Sequence, residues 1–252
     1  MVFDSDFKVD RPDQFGANES YLNGTLISLR GTATSMTVAS GGDFSRNVLI
    51  FTDTAQGRVL EAMTISGERP LAVGGSAPLL ALMDASTATG GLTMATSFLA
   101  ASGTVKLGAG VDSVRVSSTS TVSNFESISG LELAPAEAVS PAASPMAVQA
   151  VIAAADKLWI DGATVANEGS VAGGAISASG VLSFTGAGPA SLGSAFAIAN
   201  AAAETAGEAL LFGFLGDSYL FVQASTDIAV KLIGVTGVTH LIETGSDAFI
   251  VV

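Results

Sequence analysis

Short apolar runs recur along the first half of the chain and constrain its fold more than any other feature. From Thr25 to Leu133 these runs are separated by Gly, Ser, Asp and Asn, and they follow one another about every 8–12 residues. In most of them an apolar residue alternates with a small polar one, which is the period of a half-buried strand. The runs are GTLISL, SMTVAS, NVLIFT, EAMTIS, PLAVGG, GLTMAT, GTVKLG, DSVRVS, STVSNF and ISGLEL.

Two architectures fit this spacing, a β-sandwich and a β-solenoid whose turns hold one or two strands. The side chains of the runs are mostly Ala, Ser, Thr and Val, and the only aromatic residues of the segment are Phe44, Phe51, Phe98 and Phe125. Small side chains fit the narrow interior of a stacked coil, whereas a sandwich usually needs larger residues in its core. We therefore favour a parallel β-solenoid or β-roll over residues 25–133, preceded by an irregular segment over 1–24, with the sandwich as the alternative.

A Pro/Ala-rich stretch, residues 134–147, ends this pattern and is predicted to be a linker because its prolines favour extended backbone. Residues 148–252 carry further strand-like runs and one helical segment, Ser191–Ala209, for which Ser191 or Ser194 is the expected N-cap. The whole chain is thus predicted to be mainly β, with a solenoid body followed by a small β-rich (α+β) C-terminal domain with one helix.

Composition excludes several classes of function. The chain has 10 basic and 23 acidic residues and a net charge of −13, which argues against binding to nucleic acid, since basic patches supply most of that affinity. Its longest apolar runs fall below the ~20 residues of a membrane span, so no span is predicted. The acidic N-terminus, MVFDSDFKVD, lacks the basic and apolar regions of a secretory signal peptide, and export would need another signal.

The sequence carries no recognisable catalytic constellation. His240 is the single histidine, and the chain contains neither a G-x-S-x-G elbow nor an H-E-x-x-H or P-loop motif. An enzyme built on a β-helix would cluster Asp, Lys or Arg on one face, but the basic residues are scattered along the body. We therefore predict that the chain is not an enzyme.

Two segments resemble a known family. In the body the phrases are DASTATGGLT at Asp84–Thr93, LGAGVDSVRV at Leu107–Val116 and NFESI at Asn124–Ile128. Nearer the C-terminus they are GDSYLF at Gly216–Phe221 and DIAVKLIGV at Asp227–Val235. These are similar to the β-roll and to the C-terminal module of bacterial surface-layer proteins of the RTX (repeats-in-toxin) secretion type. The resemblance implies a secreted, extracellular protein exported by a type I system.

Calcium is the ligand that this resemblance implies. RTX repeats of the form G-G-x-G-x-D-x-U-x hold Ca²⁺ between successive Asp carboxylates. One half-repeat fits well and makes Gly108, Gly110 and Asp112 candidate calcium-binding residues, with Asp84 and Asp43 as further candidates in degenerate repeats. An ordinary turn or Asx cap is the alternative for each Asp. Because Ca²⁺ takes six to eight oxygen ligands, a calcium-poor coil is expected.

The last residues, ETGSDAFIVV, join Asp247 to a short apolar tail that contains Phe249, Ile250, Val251 and Val252. Such a tail is typical of two things, the last strand of a core and the uncleaved C-terminal signal of type I secretion substrates. Both can hold for one chain, because an exporter would read the tail while it is unfolded. We expect Asp247 and the tail to act as the export signal.

These features together predict an extracellular structural protein that self-assembles on the cell surface, as a surface-layer or filament subunit. Open strand edges at the ends of a solenoid would pair with another copy of the chain. The alternative is a secreted adhesin or biofilm-matrix binding module, with cell-surface polysaccharide as its partner and calcium as a candidate cofactor.

Overall fold

The structure is a computed structural model, and it describes residues 23–27, 34–42, 45–51, 60–135, 145–245 and 247–252. Within these described residues the strands of the body are β1 (Asn23–Ile27), β2 (Ser35–Ala39), β3 (Asn47–Phe51), β4 (Ala62–Gly67), β5 (Leu71–Gly75), β6 (Leu82–Ala88), β7 (Leu92–Ala95), β8 (Thr104–Lys106), β9 (Ser113–Arg115) and β10 (Ser127–Ser129). The rest of the chain contains α1 (Pro145–Ala154), β11 (Lys157–Trp159), β12 (Thr164–Val165), β13 (Gly169–Val171), β14 (Gly174–Ile176), β15 (Val181–Phe184), α2 (Leu192–Ala202), β16 (Glu208–Phe214), β17 (Asp217–Val222), β18 (Ile228–Ile233), β19 (Leu241–Glu243) and β20 (Ala248–Val251).

The body is a parallel β-solenoid with two strands in each turn. Odd-numbered strands β1 to β9 lie side by side in one sheet, and even-numbered strands β2 to β10 lie side by side in the other. In the first sheet Asn47 lies beside Leu71, and Leu71 beside Leu92, so that one turn takes roughly 20 to 25 residues, within the usual range of a solenoid repeat. Strand pairing between successive turns is parallel throughout, which confirms the solenoid, since a sandwich is built from antiparallel sheets.

Columns of apolar side chains fill the space between the two sheets. Met63, Met83, Val105 and Ile128 occupy matching positions on successive strands, and each is at most 1% exposed. The other sheet contributes the column Met94, Val114 and Leu158, also buried. Each such side chain contributes about 1.5–3 kcal/mol when it leaves water. Stacking of turns is therefore what stabilises the body.

Glycine allows the corners of the coil to approach one another. Gly75 ends β5 with a φ of 96°, and a Cβ at this position would lie 1.9 Å from the carbonyl oxygen of Phe51 in the preceding turn. Both its left-handed backbone and this close approach exclude a side chain. The corner after β5 thus requires glycine at position 75.

The C-terminal half extends both sheets of the solenoid. β18 pairs in parallel with β10, and β17 and β16 follow in antiparallel order. In the other sheet β11 pairs in parallel with β9, whereas β20 is antiparallel to β11 and β19 is antiparallel to β20. One buried cluster contains apolar residues of both halves. The segment boundaries at 24, 133 and 147 stay a prediction. Strands from before and after the predicted linker belong to the same two sheets.

Helix α2 covers one outer face of this extension. It begins at a capping box in which the Ser194 N–H donates to Ser191 Oγ and the Ser191 N–H donates to Ser194 Oγ. The expected N-cap Ser191 is thus confirmed. Phe196 of the helix packs on Phe212, Tyr219 and Phe221, with ring centroids 5.4 to 6.2 Å apart. These aromatic contacts build a second core on the outside of the sheet.

A second helix, α1, was not expected from the sequence and begins at Pro145, inside the predicted linker. Proline is favoured at the first position of a helix, and the alanine-rich run after it has high helix propensity. Val151 and Ile152 of α1 pack against Ile250 and Val252. None of the described helices is long and apolar enough to cross a membrane.

Candidate functional site

Asp112, the principal candidate for calcium binding, lies in the turn that enters β9, and its side chain points into the protein. The residue is 1% exposed. Its Oδ1 accepts a hydrogen bond of 2.5 Å from the backbone N–H of Leu92, which occupies the matching position one turn earlier. Its Oδ2 is buried and has no hydrogen-bond partner among the described residues. The carboxyl group therefore fastens two successive turns of the solenoid to each other.

A second buried carboxyl group, that of Asp156, matches Asp112 one turn later in the register of β9 and β11. Its Oδ1 accepts a hydrogen bond of 2.8 Å from the Asp112 N–H, and its Oδ2 accepts one of 2.7 Å from the Glu132 N–H. Each carboxyl group thus bonds to the backbone of the preceding turn. Together Asp112 and Asp156 link three turns across the point where the body meets the C-terminal half.

The pKa values of this pair are raised. Burial raises the pKa of Asp112 to about 7; the hydrogen bond from Leu92 opposes that rise, and the negative charges of Asp156 and Glu132 add to it. Burial likewise raises the pKa of Asp156 to about 6, against the two backbone hydrogen bonds that it accepts. Two interacting carboxyl groups titrate as a pair. In the folded protein this pair therefore holds its protons to a higher pH than free carboxyl groups do.

The other members of the candidate half-repeat, Gly108 and Gly110, allow close approach of the backbone. A Cβ on Gly108 would lie 2.3 Å from the carbonyl oxygen of Ala88, and Gly110 has a φ of 99°. Among the described residues, no three His, Cys, Asp or Glu side chains are grouped so that they could hold a metal ion. Ca²⁺ needs six to eight oxygens, whereas Asp112 and Asp156 already accept backbone N–H groups. Calcium binding by Asp112, Gly108 and Gly110 therefore stays a prediction.

Asp84 does not join this network. Asp84 lies on β6 in the other sheet, where its Oδ2 is 2.9 Å from Lys106 Nζ and its Oδ1 accepts a hydrogen bond of 2.6 Å from the Ser86 hydroxyl. The hydrogen bonds from the Ser86 hydroxyl and from Lys106 lower the pKa of Asp84 to about 2. Asp43 lies outside the described residues.

The apolar tail forms the strand β20 and is buried. Asp247, with a φ of 66°, makes the turn before it and accepts a hydrogen bond of 3.0 Å from the Gly162 N–H. Phe249 and Val251 belong to the core of the solenoid, and Ile250 and Val252 face α1. The core-strand interpretation of the tail is thus observed, while its role in export stays a prediction.

The sequence contains a signal for Asp156 besides the strand runs. Asp156-Lys157-Leu158-Trp159-Ile160 repeats the pattern of Asp112-Ser113-Val114-Arg115-Val116, in which Asp is followed by two apolar residues at alternate positions. The repeat was hidden because residues 134–147 interrupt the spacing. Comparing the residues that precede each strand would have found the pair.

The buried pair can take up or release a proton and can hold turns together, and Asp112 and Asp156 are 1% and 2% exposed. His240 lies apart from it at the surface, with Nδ1 2.9 Å from the Thr239 hydroxyl oxygen. That the chain is not an enzyme stays a prediction.

In comparisons with protein-family models, curated proteins and solved structures, nothing matches the chain. The fold alone therefore defines its class, which is that of parallel β-solenoid proteins. Its two strands per turn are compatible with an RTX-like β-roll.

Proposed function

We propose that the chain is an extracellular structural protein that self-assembles on the cell surface, as a surface-layer or filament subunit. The observation that carries this proposal is the continuous stack, in which two sheets, of eight and twelve strands among the described residues, share one apolar core. Such a stack is a rigid rod held by nearest-neighbour contacts between turns. The net charge of −13 suits a surface on which divalent cations bridge subunits.

The ends of the rod differ, and this limits how copies join. At the C-terminal end of the body β18 covers the edge of β10 and β20 covers the edge of β11. The sequence led us to expect head-to-tail pairing through open edges. The edges of β10 and β11 are not available for it, because β18 and β20 cover them. At the N-terminal end of the rod β2 is the outermost described strand of its sheet, and assembly by strand pairing would use that edge.

The backbone of β2 identifies the groups such an edge would use. The Ser40 N–H donates to the Ser66 carbonyl, and the Ser40 carbonyl accepts from the Arg69 N–H. Because alternate residues of a parallel strand bond to the same neighbour, residues 35 and 39 direct their backbone groups away from β4. Ser35 is also exposed.

Electron microscopy of the purified chain, with and without Ca²⁺, tests this proposal. We expect ordered arrays or filaments, and the variant Ser35→Pro, which lacks one edge N–H, should assemble less than wild type. Ser35→Ala is the matched control and should assemble normally. A wild-type chain that stays monomeric in both conditions would overturn the proposal.

Export by the C-terminal tail is part of the same proposal. Deletion of the tail would also remove buried core residues, so we prefer a variant with a polar extension appended after Val252. It keeps β20 but moves the apolar tail away from the terminus. Export through a type I system should fail while the thermal stability of the protein is retained; normal export would leave the tail with its core role alone.

A secreted adhesin or biofilm-matrix binding module is the alternative function. It predicts attachment to a surface without ordered arrays.

A further inference from the structure

A cleft of about 310 Å³ lies at the outer surface where the first-half sheet ends and the C-terminal half begins. Its walls come from the ends of β7, β9 and β11 and from the start of β18. Val116, Ile160 and Ile228 supply the apolar part of its lining, and Ser97, Ser117 and Ser118 supply hydroxyl groups. Pockets for small organic ligands combine an apolar lining with a few polar groups in this way, and this volume is near the lower end of their range.

An ion pair stands at this cleft. Nη2 of Arg115 contacts Oδ2 of Asp161. The Arg115 side chain is 60% exposed and the Asp161 side chain 67% exposed. Both are held by rigid backbone, because Arg115 lies within β9 and Asp161 precedes Gly162, whose N–H is bound by the Asp247 carboxylate. Among the described residues no other side-chain hydrogen bond is made by the pair. Arg115 therefore keeps free N–H donors, and Asp161 keeps a free carboxylate oxygen.

The serine hydroxyls are available as well. Those of Ser97 and Ser118 bond to no group among the described residues, whereas the Ser117 oxygen accepts hydrogen bonds from the N–H and the hydroxyl of Thr119. The Ser117 hydroxyl proton remains free to donate. The cleft thus presents donors and acceptors side by side around a small apolar surface.

This combination discriminates among ligand classes. A purely apolar ligand would leave the ion pair and the hydroxyls without partners, which costs free energy for each buried polar group. An anion would meet Asp161 and a net charge of −13, and a cation would meet Arg115. A neutral sugar satisfies both charges, because each of its hydroxyls donates and accepts, and its C–H face fits the apolar lining.

We propose that this cleft, named here the Arg115–Asp161 cleft, binds a neutral saccharide. Vicinal hydroxyls of one sugar ring bond to the guanidinium and the carboxylate, and the serines bond to the remaining hydroxyls. Binding does not require self-assembly of the chain, so the two proposals can fail separately.

Fluorescence of Trp159 measures this binding. It is the single tryptophan of the chain, it lies beside Arg115 on the neighbouring strand, and it is followed in the sequence by the cleft residues Ile160 and Asp161. We would titrate the full chain, at protein concentrations where it is monomeric, with neutral oligosaccharides built from glucose, galactose, mannose or N-acetylglucosamine. At least one should cause a saturable change in fluorescence.

Variants locate the site. Asp161→Asn should weaken the saccharide affinity about tenfold, the effect expected from losing a charged hydrogen-bond acceptor, and Ser118→Ala should weaken it less. Asp84→Asn is the matched control, because it breaks the Lys106–Asp84 pair on the other sheet, and it should leave the affinity unchanged. Circular dichroism confirms that each variant is folded.

Three results would overturn the proposal. They are the lack of saturable binding to any neutral oligosaccharide, binding confined to acidic sugars, and an affinity that Asp161→Asn does not alter.

Discussion

Replacing Asp112 with Asn should destabilise the protein in acid and stabilise it in alkali. Asn keeps the size of the side chain and can still accept the hydrogen bond from the Leu92 N–H. It cannot ionise, and it places an amide N–H₂ where Oδ2 has no partner among the described residues. The substitution therefore removes the titration of Asp112 and leaves buried donors unsatisfied.

The magnitude follows from the pKa. The pKa of Asp112 is raised from 3.8 to about 7, and each unit corresponds to ~1.4 kcal/mol, so ionisation in the folded state costs about 4 kcal/mol. Because the folded state holds the proton of Asp112 more tightly than the unfolded chain does, the stability that protonated Asp112 contributes is fully present below about pH 4. That contribution is lost as the pH rises from about 4 to about 7. The unsatisfied amide of Asn costs about 1–3 kcal/mol at every pH.

We therefore expect Asp112→Asn to be less stable than wild type by about 1–3 kcal/mol at pH 4 and more stable by a similar amount at pH 8. Urea unfolding followed by circular dichroism, at intervals from pH 4 to pH 8.5, measures both. Asp84→Asn is the control. In the wild type the pKa of Asp84 is lowered to about 2, so the stability that Asp84 provides is present above its ordinary pKa and is lost only as the pH falls towards 2. A difference between Asp112→Asn and wild type that has the same sign and size at both ends of the range would mean that Asp112 does not titrate between pH 4 and pH 8.

Two further predictions concern the fold. Gly75→Ala should lower the free energy of unfolding by at least about 2 kcal/mol because the new Cβ collides with the Phe51 carbonyl. Gly74→Ala is the control and should change the free energy of unfolding little, because there is open space around Gly74. Equal urea midpoints for the two variants would contradict this prediction. Glu208→Ala should lower the free energy of unfolding by about 2–3 kcal/mol, because the buried Glu208 carboxylate accepts hydrogen bonds from two backbone N–H groups of the preceding loop at 2.7 and 3.0 Å. Glu168→Ala, at an exposed position, is the control. Similar thermal midpoints for the two variants would contradict this role of Glu208.

The strand pattern predicted the architecture because a solenoid repeats one local rule. Alternation of apolar and small polar residues marks strands such as β3 and β9 without knowledge of their partners. The same rule failed where the alternation was broken. β6 was missed because Asp84, Ser86 and Thr87 interrupt it, and the run STVSNF is a turn, closed by hydrogen bonds between Thr121 and Asn124.

The candidate site could be predicted only in part. Asp112 and its glycines were found from a local motif, but Asp156 was not, because its relation to Asp112 depends on strand register across 44 residues. The cleft is a further example, since Arg115 and Asp161 come from different turns. Neither register nor burial is written in a local run of residues, and both decide whether a carboxyl group binds a cation or the backbone of the chain itself.

The pairing of β11 with β20 has a consequence for folding. Leu158 lies beside Phe249, so this edge of the sheet is completed by a segment about 90 residues further along the chain, a contact of long loop closure. The turns of the body can add one after another through local contacts. The edges of β10 and β11 are covered only when β18 and β20 have paired with them. We expect refolding to have a fast phase for the body and a slower one for this closure. In the interval the newly formed rod exposes unpaired strands, which makes this the stage at which the chain is most prone to join other copies.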